Sequence, residues 1–461
     1  MRKKYFKIAS FVFAVVFCCL SFFGCNNTQE PEPEPQPLPE EYSSYKKEVG
    51  GVMFWEKEDT VYENAIDPSI DIHIYNYCPS VIQVDEKTRY VYYCSNRYST
   101  DKLKDFSYLG ASLVQKGDYK DYYDEVGDNR ITDYVACRKG ILHNGEWYWS
   151  EKSYLLGPTL GSMTEGEQTC DPNVVKGSFK YKGKTYPYLM NYLACSTRDN
   201  TFNHICLAVA EDPMGPWIKC DSVPPLREYT IDGVPENMLS TYLWGYGQAS
   251  MISIDKKGKV LMFYSSICPK YNSSGQYWNH STTTIIEKWN LSDLENPVLE
   301  KTYGGLPVAG ITRHGKQVGL LTNGDYAYDP VTNRIYAIFD SEMDRFGNTS
   351  GAPVAYLENL FNSQKTEIGG VFNSTSWGTA DGQIHWNMVG NAHISDYNNY
   401  TTTHNTAIIR DAYGWIANPN KIEVAVTGAL SQQKYVEKYP GGKPSDYLWS
   451  YRIHRVTFNL A

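Results

Sequence analysis

Polar and apolar positions along residues 42–461 alternate in short runs, without the sustained 3.6-residue period of a long amphipathic helix. One arrangement recurs. A polar residue opens an apolar strand, a turn rich in Gly, Asn or Asp follows, and an aromatic strand then closes on Ser or a neighbouring polar residue. The copies are CPSVIQVDEKTRYVYYCSN from Cys78, CDPNVVKGSFKYKGKTYPYLMNY from Cys170, GQASMISIDKKGKVLMFYSS from Gly247, GDYAYDPVTNRIYAIFDS from Gly324, and HNTAIIRDAYGWI from His404 followed by KIEVAVTG. With Cys78, Asp171, Gln248, Asp325 and Asn405 as markers, the steps are 93, 77, 77 and 80 residues. A period of this size points to a repeated sheet.

A single such sheet cannot bury both faces, whereas sheets stacked around an axis can. The pattern therefore predicts an all-β fold, a five-bladed β-propeller over residues 42–461, with the first residues of each inner strand lining a central funnel. A β-sandwich or two separate β-domains is the alternative. The 39 Tyr and 11 Trp suit half-buried, pleated surfaces. Trp147 and Trp149, in GEWYWSEK, are expected to be structural.

The N-terminus changes the picture. A basic MRKKYFK precedes the apolar run IASFVFAVVFCCLSFF, which ends at Gly24-Cys25. This predicts a lipoprotein signal peptide over residues 1–24 with lipidation at Cys25; a plain secretory signal or a membrane anchor is the alternative. Residues 25–41, NNTQEPEPEPQPLPEE in their main part, form an extended tether, because alternating Glu-Pro supports neither helix nor ladder. The expected location is the bacterial cell envelope, with membrane contact through the lipid. Loss of residues 1–24 moves the formal charge from −9 to −13, since Arg2, Lys3, Lys4 and Lys7 leave with no acid. An acidic body argues against nucleic acid as a partner. Eight cysteines remain in the body. Cys195 and Cys206, flanking a predicted hairpin, are the first pair to test for a cross-link, with buried free thiols as the default for most of the eight. No spacing suggests zinc, and no cofactor is expected beyond a structural cation near the axis.

The motifs CDPNVV, AVAEDPMGPW, CPSVIQVD and YGQASMISIDKKGKVLMFYSS resemble, in order, elements of the five-bladed β-propeller glycosidases, glycoside hydrolase family 43 and its relatives in family 32. The resemblance covers most of residues 70–416. It implies axial carboxylates: a base or nucleophile on blade 1, a second Asp on blade 2 and a general acid Glu on blade 3. Glycosidic cleavage uses one carboxyl to protonate the leaving oxygen and another on the opposite face. Asp171 matches the blade 2 position. Cys78 occupies the blade 1 position and Gln248 the blade 3 region, so two of the three carboxylates are absent from their expected places. Asp71 and Glu236 are the substitutes carried as catalytic candidates, with His73 and Asp232 near them. Cys78, Gln248, Trp244, Asp325 and His404 are candidates for substrate contact, Trp244 as a flat platform for a sugar face.

The leading functional expectation is a lipid-tethered glycosidase of this type, acting on oligo- or polysaccharides of furanosides or pentosides. The alternative is a glycan-binding lipoprotein of the same fold that has lost catalysis. A protein-interaction scaffold is a third, weaker reading.

Overall fold

Four inner strands break their pairing at one position, and in two of them the break carries a proline. Cys78-Pro79 and Asp171-Pro172 each place a residue without an N–H inside a strand. The ladder skips there, with register shifts between Tyr77 and Ser80 and between Cys170 and Asn173. Cys78 and Asp171 take left-handed backbone angles, φ 50° and 48°. The bulge recurs without proline between Tyr246 and Ala249 and between His404 and Thr406, the latter around Asn405 at φ 42°. Asn adopts this conformation more readily than most residues.

In the computed structural model the described residues are 36–53, 76–98, 131–159, 162–195, 202–229, 245–271, 274, 277–305, 308–309, 312–313, 316–317, 323–339, 352–361, 384–392, 400–438 and 451–460. Residues 41–461 form one unit, and it is a five-bladed all-β propeller. From the axis outwards, sheet 1 is built from Asn76–Gln83, Thr88–Tyr98, Ile131–His143 and Glu146–Trp149. Sheet 2 comprises Gln168–Tyr181, Lys184–Cys195, His204–Ala210 and Ile218–Lys219. Sheet 3 comprises Tyr246–Ser253, Lys259–Tyr271, Tyr277–Asn290 and Val298–Gly305. Sheet 4 has Asp325–Asp329, Arg334–Ile338, Ala352–Leu357 and Asn387–Ala392, and sheet 5 has Tyr400–Asp411, Lys421–Leu430 and Arg452–Asn459.

The ring is tied at the axis by a relay. In sheets 1 to 4 one polar side chain accepts the backbone N–H of the next inner strand: Ser80 from Val174 at 3.4 Å, Asn173 from Met251 at 3.0 Å, Ser250 from Tyr326 at 3.2 Å and Asp325 from Ile408 at 2.8 Å. The fifth step has no such side chain, because the corresponding residue is Ala407. There the inner strands of sheets 5 and 1 pair directly and in parallel, Val81 with Ile409 and Gln83 with Asp411. The seam is reinforced outside: Val52 bridges His454, and Met53 donates its N–H to the carbonyl of Ile453 at 2.9 Å. A segment before sheet 1 thus lies along the outer strand of sheet 5.

Apolar contacts between neighbouring sheets fill the space that this ring leaves. Phe263 of sheet 3 stacks on Tyr326 of sheet 4 with centroids 4.1 Å apart. Trp147 and Trp149 stack at 5.9 Å and are buried, as expected for a structural strand. Burial of each such side chain contributes roughly 1.5–3 kcal/mol.

One sequence expectation needs correction, and one candidate pairing is not formed. Cys195 and Cys206 are both buried free thiols. The register sets Tyr192, not Cys195, opposite Cys206. Asp325 is also not the counterpart of Asp171. Its place in the relay aligns it with Asn173 and Ser250, and the left-handed residue of sheet 4 is Asn323, at φ 46°. The markers Cys78, Asp171, Gln248 and Asn405 do share one structural position, that of the bulge.

Candidate axial site

Four bulges from four sheets bring Cys78, Asp171, Gln248 and Asn405 to the axis. Asp171 is the only acid among them and is 7% exposed. Its N–H donates to Cys94 Sγ at 2.8 Å, and the Cys94 thiol lies 3.7 Å from its Oδ1. The thiols of Cys78 and Cys170 also hydrogen-bond its carboxyl. Burial pushes the Asp171 carboxyl up, while these three thiols and the charge of His404 oppose the shift. Cys78 is fully buried, and burial together with the neighbouring Asp171 charge raises its pKa well above the ordinary thiol value. A thiol held neutral is a poor base for water.

Gln248 and Asn405 form an amide pair across the axis. Gln248 Nε2 donates to the carbonyl of Thr406 at 2.9 Å, and Asn405 Nδ2 donates to Gln248 Oε1 at 3.3 Å. Asn405 Oδ1 is buried without a hydrogen-bond partner. His404 is half-buried and forms a triangle of rings with Tyr77 and Tyr451, its centroid 6.3 and 5.9 Å from theirs and theirs 6.1 Å apart. The Tyr77 hydroxyl donates to Asp133 Oδ2 at 3.1 Å.

Asp133 is the acid that sequence reasoning missed. It sits on the third strand of sheet 1, in no motif, and only strand pairing carries it to the axial cluster. Burial pushes its carboxyl up to about 7; the Tyr77 hydrogen bond opposes this and the Asp171 charge adds to it. A group titrating there suits acid–base work near neutrality.

The remaining candidates separate. Asp325 is 0% exposed and its carboxylate is consumed by protein donors: Ser250 Oγ at 2.6 Å, Ile408 N at 2.8 Å and Asn173 Nδ2 at 3.3 Å, with Arg410 Nη1 at 3.4 Å. It is a structural tie, which corrects its expected contact with substrate. Glu287, on the third strand of sheet 3, is the well-buried acid of that sheet, yet Arg227, Tyr264 and Trp289 occupy both its oxygens. Asp71, Glu236 and Trp244, with His73 and Asp232, lie outside the described residues, as do Cys25 and the whole of residues 1–35. Among the described residues no helix is long and apolar enough to cross a membrane.

No family model matches the chain, and no curated protein does. Solved structures do resemble it. An α-L-arabinofuranosidase from Podospora anserina, in complex with cellotriose, aligns at 11% identity and a TM-score of 0.41, covering 90% of this chain and 97% of that one. A family 117 glycoside hydrolase from Zobellia galactanivorans aligns at 11% identity and a TM-score of 0.45, covering 90% of each. A GH43_1 enzyme from Xanthomonas citri, complexed with xylose, aligns at 12% identity and a TM-score of 0.41, covering 87% and 91%. At such identity and score, no residue of those proteins is matched to one of these.

Proposed function

We propose that this protein is a carbohydrate-active propeller that holds oligosaccharide through its axial groups and has lost the usual two-carboxylate route to hydrolysis. The observation that carries the reading is the set of residues at the four bulges: one acid, two amides and one neutral thiol, beside the half-buried ring of His404, which rests on the buried rings of Tyr77 and Tyr451. Acids and amides pair with sugar hydroxyls, and flat rings match the apolar face of a sugar. Cleavage needs a second carboxyl on the opposite face, and the blade 1 position offers Cys78 instead. The sequence motifs, through their resemblance to family 43, favour furanosides or pentosides as the glycan class. A lipid on Cys25 would place the protein at the cell envelope, where such glycans are met.

One observation favours a second reading, a glycosidase of unusual construction. Asp133 supplies another carboxyl beside Asp171, joined to the cluster by Tyr77. The two readings part in a single experiment. The full chain is mixed with arabinan, xylan and fructan oligosaccharides, and both heat of binding and released sugars are measured. Binding without products, abolished in Asp171→Asn, supports the proposal. Turnover that is lost in both Asp133→Asn and Asp171→Asn replaces it with the glycosidase. Neither binding nor turnover on the panel overturns both.

A further inference from the structure

The axial cluster is richer in sulfur than sugar recognition requires. Cys94 comes from the second strand of sheet 1, and Cys170 and Asp171 come from the inner strand of sheet 2. The sulfurs of Cys94 and Cys170 and a carboxylate oxygen of Asp171 all lie within 4.8 Å of one another, and all three residues are buried. The two thiols are also within hydrogen-bonding reach of each other.

We propose that Cys94, Cys170 and Asp171 form a binding site for a thiophilic divalent cation, zinc in the first instance, that clamps sheet 1 to sheet 2 at the axis.

The geometry is close to what the ion needs. With Zn–S about 2.3 Å, Zn–O about 2.0 Å and a tetrahedral angle, sulfur and oxygen ligands of one ion stand about 3.5 Å apart. The Cys94 sulfur and Asp171 Oδ1 stand at 3.7 Å. Two sulfurs and one oxygen are a donor set that thiophilic ions take over calcium or magnesium, which prefer oxygen alone. The Asp171 N–H on Cys94 Sγ orients that sulfur, as hydrogen bonds to metal ligands do. Three neutral thiols are weak partners for the Asp171 carboxyl, whereas the cation converts those of Cys94 and Cys170 into strong ligands. Binding displaces two thiol protons, one from Cys94 and one from Cys170, to solvent, so affinity falls as pH falls. Cys78 bonds Asp171 but stands outside the triangle. The inference shares Asp171 with the glycan reading, but its test is read by metal and not by sugar, so the two can fail separately. If it holds, Asp171 is committed to the cation and cannot also serve as a free base.

The experiment uses the full chain, purified with reductant and stripped of metal. Cobalt(II) is added as a spectroscopic substitute for zinc, and zinc is then titrated against a chromophoric chelator. One cobalt per chain with a near-ultraviolet thiolate-to-cobalt band, displaced by one zinc, is the expected result. Cys94→Ser and Cys170→Ser each diminish the band, while Cys137→Ser and Cys220→Ser leave it unchanged. Should the first two fail to fold, Asp171→Asn keeps both thiols and is expected to retain the band while weakening zinc at least about tenfold, the loss that even outer-shell changes bring. Absence of the band, a band that survives both serine variants, or a Cys94–Cys170 disulfide in the protein as isolated overturns the proposal.

Discussion

Arg89 and Glu423 meet at 2.5 Å across the seam between the first and last sheets, with side chains only 4% and 5% exposed. Arg89 also stacks on Trp147 at 4.1 Å, and Arg455 reaches both Glu423 and Glu48 at 2.8 Å. The pair locks the place where the ring closes. Burial alone would raise Glu423, but Arg89, Lys421 and Arg455 outweigh it and hold the carboxyl down to about 2. Arg89 gains less, because burial lowers it despite its partner. The carboxylate therefore carries the pH dependence. Its folded pKa lies below its ordinary value, so its stabilisation is present above about pH 4.5 and is lost as pH falls towards 2. Glu423→Gln is expected to cost roughly 3–5 kcal/mol at pH 7, as breaking a buried pair does, and to flatten the acid limb of a urea-denaturation series. An unchanged acid limb would remove Glu423 from the seam.

Asp325 should behave as a structural residue. Asp325→Ala leaves the buried Arg410, 0% exposed, without its counter-charge and removes the acceptor for the N–H of Ile408. A loss of roughly 3–5 kcal/mol is expected, measured by denaturant unfolding. A well-folded Asp325→Ala that had merely lost sugar binding would restore Asp325 to the ligand site.

Asp133 has the opposite sign from Glu423. Its folded pKa, about 7, lies above the ordinary value of 3.8, so the fold favours the protonated form. Stability from this group is present below pH 3.8 and is lost as pH rises through about 7. Asp133→Asn is then expected to be more stable than the natural protein at pH 8 by about 1–2 kcal/mol, after allowance for its partial exposure. Melting temperatures at pH 5 and pH 8 check this. The difference should appear at pH 8 and shrink at pH 5.

Gly177 lies where sheet 2 touches the turn of sheet 3. A Cβ there would overlap the carbonyl oxygen of Lys257 and the ring of Phe179, and the neighbouring N–H of Ser178 donates to that same carbonyl at 2.9 Å. Gly177→Ala is expected to cost about 1–3 kcal/mol through displaced backbone. Gly183→Ala offers a contrast, since open space surrounds it and only its φ of 77° resists. A smaller loss at Gly177 than at Gly183 would refute the close approach.

Cys78, Cys94, Cys137, Cys170, Cys195, Cys206 and Cys220 are buried and free. Burial pushes Cys206 and Cys220 up to about 12, and Cys137 well above its ordinary value. A thiol-specific reagent at pH 8 should therefore leave these three unlabelled in the native protein and label them all in denaturant, as read by peptide mass mapping. Rapid native labelling of Cys137 would contradict its burial.

The alternation of polar and apolar positions, the turn residues and the repeated strand pairs determined an all-β propeller of five sheets. They did so because a pleated strand writes its two faces directly into the sequence. Cys78-Pro79 and Asp171-Pro172 likewise marked the bulges, because proline cannot join a ladder. What only the tertiary structure decided is which polar residue faces what. The inner strand of sheet 4 begins at Asp325 and pairs without a bulge, so Asp325, the fourth marker by sequence, became a buried tie, and Asn323, two residues earlier, took the left-handed position. Asp133 lies in no repeat copy, and Cys94, which closes the first copy, has nothing in its sequence context to pair it with Asp171. They reach Asp171 because an outer strand of one sheet and the inner strand of the next are stacked by packing around the axis, and contacts between sheets leave no period along the chain.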